Sequence, residues 1–134
     1  MPTLLEGGSN NSLEKLGAFK NSLGILSDDG RRIRPRRLME VTGLGAVEIT
    51  HFVNKSRPQI YRDEILVSPE LLKRFRALVM VTDIVFALLN QDINETRKWM
   101  MIPNTVVFGD SPFEVCMRGD AEPLIEWLRT RAPQ

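Results

Sequence analysis

A chain of 134 residues with 43% apolar residues, 26% charged residues and a net charge of +1 is one domain in size, with material for a single core. So small a net charge says little about partners, and no run reaches the roughly 18 apolar residues that a membrane span needs. The lone Cys116 excludes an intrachain disulfide or a cysteine-rich metal cluster and, with no apolar leader after a basic start, points to a reducing, cytoplasmic setting.

Residues 1–11 read as a loose arm. Leu13, Leu16, Phe19, Leu23 and Leu26 recur at spacings of three and four, which predicts an amphipathic helix from Ser12 to Leu26 despite Gly17 and Gly24. Ser27-Asp28-Asp29-Gly30 ends it. Charge is then uneven: residues 31–76 hold eleven Arg or Lys against five acids, a local +6, so the remainder carries −5.

From Pro35 the pattern is that of a helix-turn-helix. Leu38 and Val41 give a first helix its buried face, and Gly43 or Gly45 breaks it. Val47, Ile49, Phe52 and Val53 supply the apolar side of a second helix. Ser56 can cap a third, with Pro58 in its first turn and Ile60 and Tyr61 turned inward. Ser68-Pro69-Glu70 starts the longest helix, running to about Asn90 and apolar around most of its girth after residue 77. Such a helix is either central to a core or part of an oligomer interface, and a homo-oligomer is expected. Asp92-x-x-Glu95 opens a helix ending near Met101, and Ser111-Pro112-Phe113-Glu114 opens another. Asp120 can open the last, with Leu124, Ile125 and Leu128 on one face.

No convincing alternating strand occurs, so the expected fold is all-α: a compact helical bundle in which one long central helix joins a helix-turn-helix-like region to a C-terminal group of short helices. The divisions are residues 1–30, 31–66 and 67–134.

No catalytic set is spelled out. His51 is the only histidine, and an ordinary helix position explains it. Cys116 reads as a small core residue rather than a nucleophile. Gly43-Leu44-Gly45 lacks both the strand and the third glycine of a dinucleotide loop. The chain is expected to be no enzyme and to need no cofactor or metal.

Two readings of the basic region stay open. Arg34, Arg36 and Arg37, with Lys55, Ser56, Arg57, Gln59 and Arg62 around the third helix, suit phosphate and base contacts to operator DNA. Alternatively the arginines are a solvated loop or pair with the acidic C-terminal half. Asp63 and Glu64 repel phosphate.

The ordered set Trp99-x3-Pro103-Asn104, Gly109, Ser111-Pro112 and Gly119-Asp120 resembles the toxin-binding domain of Xre/MbcA/ParS-type antitoxins, over roughly residues 36 to 131. The spacing of Gly43, Ile49, Phe52, Ser56 and Ile60-Tyr61-Arg62 is similar to Xre-type sequences. The resemblance implies an antitoxin of a type II toxin-antitoxin pair, which blocks a toxin that consumes NAD or transfers ADP-ribose. It implies toxin contacts from Trp99, Arg118, Asp120, Leu124, Trp127, Arg129 and Arg131, so that deletion from Leu124 onward abolishes neutralisation. The chain differs from the pattern in its longer N-terminal extension and in Pro123. A helix-turn-helix regulator without a toxin, or an oligomerisation module, is the other reading.

Overall fold

A computed structural model describes residues 21–53, 55, 57–104 and 109–131. Among these the protein is helical and has no strand, with seven helices: α1 (Pro35–Thr42), α2 (Ala46–Val53), α3 (Arg57–Ile60), α4 (Pro69–Leu88), α5 (Ile93–Met101), α6 (Pro112–Met117) and α7 (Ala121–Arg129). None is long and apolar enough to cross a membrane.

The segment before α1 departs from expectation. Residues 12–20 of the expected first helix lie outside the described residues, and 21–26 form a turn and an isolated bridge instead of its end. The Asn21 side chain accounts for this: its Nδ2 donates to the Leu26 carbonyl at 2.6 Å and its Oδ1 accepts the Leu26 N–H at 3.2 Å, satisfying groups a helix would otherwise use. Gly24 adopts φ +71°, a left-handed conformation open to glycine. Leu26, Ile33 and Ile65 then lie side by side through two antiparallel bridges. Between them the Ser27 hydroxyl and the Arg31 N–H bond to Asp29 and hold its carboxyl below the usual aspartate range.

Proline at its first position starts α1, and Gly43 ends it at φ +79° with its N–H donating to Met39 O. Arg97 of α5 reaches over this end, and its Nε and Nη2 donate to the Glu40 carbonyl at 3.1 and 2.6 Å, a cation placed where the helix dipole is negative. A Cβ on Gly43 would lie 3.2 Å from Arg97 Cδ. Gly43→Ala therefore combines a left-handed backbone with a crowded neighbour and should cost about 1–2 kcal/mol of stability, measured by urea unfolding.

On α2, Ile49 and Val53 are buried. Val47, expected with them, is 53% exposed, because two residues turn a helix by about 200° and carry it away from Ile49. Tyr61 was expected inside beside Ile60 but is 49% exposed. The cause is that α3 stops at Ile60: Arg62 N–H closes a turn on Gln59 O at 3.1 Å, and Ile65 exchanges both backbone bonds with Ile33 at 3.0 Å, so the chain leaves the helix before Tyr61.

The core is organised on α4. Ser68 caps it by accepting the Leu71 N–H, and residues 78–83 are buried consecutively, so the middle of the helix is covered within the chain, while Leu71, Leu72, Ile84, Phe86 and Leu88 are only partly buried. It packs on α5, α6 and α7, while Asp83 accepts the Ser22 N–H at 3.1 Å. One continuous buried cluster runs from Leu23 through Ile33, Leu38 and Ile49 to Phe75, Phe113 and Leu128. The α4–α5 connection places Asn90 and Gln91 both at φ 60°, an uncommon conformation for non-glycine residues. It delivers Leu89 and the start of α5 to the face described next.

Candidate partner-binding face

Asp92 caps α5 by accepting the N–H groups of Asn94 and Glu95. Thr96 and Met100 then point into the core, which leaves Glu95, Lys98, Trp99 and Ile102, spaced i, i+3, i+4, i+7, on the outward side. With Leu89 and Pro103 these four line a cavity of about 500 Å³. Lys98 pairs with Glu95 at 3.5 Å, and Ile102 is 59% exposed.

Beside this cavity, in contact with Trp99, stands α7, whose buried residues are Ala121, Leu124, Ile125 and Leu128. Trp127 lies beside that stripe, half-buried, and stacks on Trp99 with centroids 6.4 Å apart and planes 20° apart. The Arg131 guanidinium lies over the other tryptophan of the pair, its carbon 3.6 Å from the Trp127 centroid, a cation–π contact. Trp99, Trp127 and Arg131, far apart in sequence, thus form one surface. Pro123 occupies the first turn of α7, where the missing N–H has no intrahelical acceptor to lose.

The other residues expected at a toxin surface are placed differently. Leu124 is 0% exposed and belongs to the core, so it is removed from the contact set; its position on the apolar stripe of α7 makes this unavoidable. Asp120 stands at the helix start without capping it. Its carboxylate accepts instead from Arg118 Nε at 2.8 Å, while Arg118 Nη1 bonds Asp110. These two bonds, Asp120 first, push the Arg118 pKa further up. Arg118 is accordingly a brace across the α6–α7 corner. The Asp110 carbonyl in turn accepts the Asn104 N–H at 3.1 Å, and the Asn104 carbonyl accepts the Gly109 N–H at 3.0 Å. Arg129 is exposed, about 200° round the helix from Trp127. Val106, Val107 and Phe108, which lie between Trp99 and Trp127 in the apolar C-terminal stretch, and residues 132–134 fall outside the described residues.

The basic residues scatter as well. Arg34 pairs with Asp28 at 3.2 Å and Glu64 at 3.3 Å. Arg37 donates to Leu23 O at 2.6 Å and to Glu40 at 2.7 Å, so both clip the segments around α1 together. Arg36 and Arg62 are exposed, Lys55 and Gln59 half-buried. Ser56 and the Arg57 side chain lie outside the described residues. Since α3 spans four residues, Arg62 and Asp63 follow the helix rather than sit on it.

His51 is exposed on α2, and among the described residues no group of three His, Cys, Asp or Glu could hold a metal. Cys116 is fully buried, and burial pushes its thiol pKa up to about 12. Its native-state labelling by a thiol reagent at pH 8 should be at least about a hundredfold slower than in the urea-unfolded chain. Comparable rates would place the side chain at the surface.

The face missed by reading the sequence is the Leu89, Glu95, Lys98 and Pro103 side of the cavity. The i, i+3, i+4, i+7 spacing from Glu95 to Ile102 was its available signal. No family model, curated protein or solved structure matches the chain.

Proposed function

We propose that the protein acts by binding, as an antitoxin of the Xre/MbcA/ParS type that covers the active site of an NAD-consuming or ADP-ribosylating enzyme with its C-terminal face. The observation that carries the reading is the stacked, half-exposed Trp99–Trp127 pair, flanked by exposed Ile102 and crowned by Arg131. Buried cores hide such side chains, whereas tryptophan and arginine anchor protein interfaces. The ordered Trp99 to Asp120 motif adds the partner's class.

A role in reading operator DNA has less support. Two of the arginines nearest α1 are engaged by acids and a carbonyl of the chain itself, and α3 is one turn long. Arg36 and Arg62 remain for phosphate contacts that would position the protein without specifying sequence. For self-association α4 offers only partly buried apolar residues, among them Leu71, Leu72, Ile84, Phe86 and Leu88, since its middle is covered within the chain.

The test is co-expression with the enzyme encoded in the neighbouring reading frame. Growth should stop when that enzyme is made alone and resume when this protein is made with it. Persistent growth arrest in the presence of the soluble, folded protein would contradict the reading. Truncation from Leu124 does not serve as the control, because it removes Leu124, Ile125 and Leu128 from the core.

A further inference from the structure

The chemistry of the partner segment is legible in how Arg131 is held. Its guanidinium plane is fixed over Trp127, and its Nη1 donates to Trp127 O at 3.2 Å and to Thr130 Oγ1 at 2.9 Å. The Thr130 hydroxyl itself donates to Trp127 O at 2.7 Å, which closes a small ring of bonds around the last turn of α7. Of the five N–H groups of an arginine, those on Nε and Nη2 are left without a partner among the described residues. They form the straight edge that takes a carboxylate through two parallel bonds. Of the other cations of this region, Arg118 holds two aspartates and Lys98 pairs with Glu95, while Arg129 lies about 200° round α7 from Trp127 and off this face.

Beside this edge, across the tryptophan stack, lies the cavity walled by Leu89, Trp99, Ile102 and Pro103. The two ring distances put the Arg131 guanidinium carbon within roughly 10 Å of the Trp99 centroid. An extended chain advances about 3.3 Å per residue, so both features lie within reach of one short segment.

We propose that this face receives a polypeptide segment carrying a carboxylate one to three residues from a bulky apolar side chain, the carboxylate on the Nε–Nη2 edge of Arg131 and the apolar group in the cavity. The inference rests on reading this face as the partner surface and adds what the partner must present there. Polyphosphates and nucleic acid fit less well, because Glu95 lines the cavity and a single unfilled arginine edge gives little to a polyanion.

The chain has only two tryptophans and both are in the site, so intrinsic fluorescence reports on it directly. The probes are blocked pentapeptides that pair Leu or Phe with Glu at separations of one to three residues, and the same peptides with Gln. Saturable changes at low-millimolar concentration are expected for the Glu peptides, with a preference of about tenfold over Gln. Arg131→Lys should remove most of that preference while the melting temperature stays unchanged, since a point ammonium cannot make the paired bonds. Equal binding of Glu and Gln peptides, no saturable change, or displacement of the peptide by equimolar inorganic phosphate would each overturn the proposal. Its fate separates from that of the antitoxin reading. Neutralisation that survives Arg131→Lys undiminished defeats this inference alone, whereas a Glu preference in a protein that neutralises no toxin defeats the other alone.

Discussion

Phe113→Ala should lower the stability of the fold by about 3–5 kcal/mol, the range for truncating a buried phenylalanine. Against the total of roughly 5–15 kcal/mol typical of a domain, that is about a fifth of the whole at the least and nearly all of it at the most. Phe113 is buried near the start of α6, and its ring meets that of Phe52 on α2 edge-to-face, with centroids 5.2 Å apart and planes at 88°. This contact joins the region before α4 to the region after it, so its loss is felt by both. A double-mutant cycle with Phe52→Leu should return a coupling of about 0.5–1.5 kcal/mol, within a single unfolding transition monitored by two probes. Zero coupling, or two separate transitions, would mean that the two ends of the chain do not share the continuous cluster running from Leu23 to Leu128.

Trp127→Ala should cost the proposed partner complex about 2–4 kcal/mol, or roughly thirtyfold to nearly a thousandfold in Kd, as expected for an interface anchor. The substitution removes one ring of the Trp99 stack and the platform beneath Arg131, so both halves of the surface lose their geometry together. The fold should lose less, about 1.5–3 kcal/mol for the aromatic pair and the partial burial together, because the fully buried stripe of α7 is carried by Ala121, Leu124, Ile125 and Leu128. Trp127→Phe keeps a ring and should retain most of the affinity. Val47→Ala, a change at an even more exposed apolar residue on α2, should leave it unaltered. Equal effects of Trp127→Ala and Val47→Ala on isothermal titration would show that the face has no special part in binding.

The helix starts were legible because capping is local chemistry. Ser68, Asp92 and Ser111 each accept a backbone N–H in the first turn of the helix that their sequence context announced. The burial of Cys116 also followed from local apolar pattern, whereas that pattern left α4 either central to a core or part of an oligomer interface. What escaped was decided at long range. Nothing local to Arg37 announces that its guanidinium will hold the Leu23 carbonyl, or to Arg34 that it will meet Glu64 thirty residues on. Tyr61 faces outward because a bridge from Ile33 to Ile65 ends the helix early, a tertiary event that propensity does not record. Leu124 shows the converse error: its periodicity with Ile125 and Leu128 already marked it as core, and assigning it to a contact surface set that physical signal aside. Trp99 and Trp127 were both singled out, but their stacking across 28 positions, with Arg131 added, emerges only in three dimensions.

The most direct measurement is acrylamide quenching of the two tryptophans, first in the protein alone and then in complex with the neighbouring-frame enzyme, its own tryptophans replaced by phenylalanine. In the free protein the quencher should reach both rings, and on complex formation the quenching constant should fall severalfold as the Trp99–Trp127 face is covered. A complex that neutralises the enzyme while leaving both rings as open to acrylamide as before would place the interface elsewhere and contradict the account.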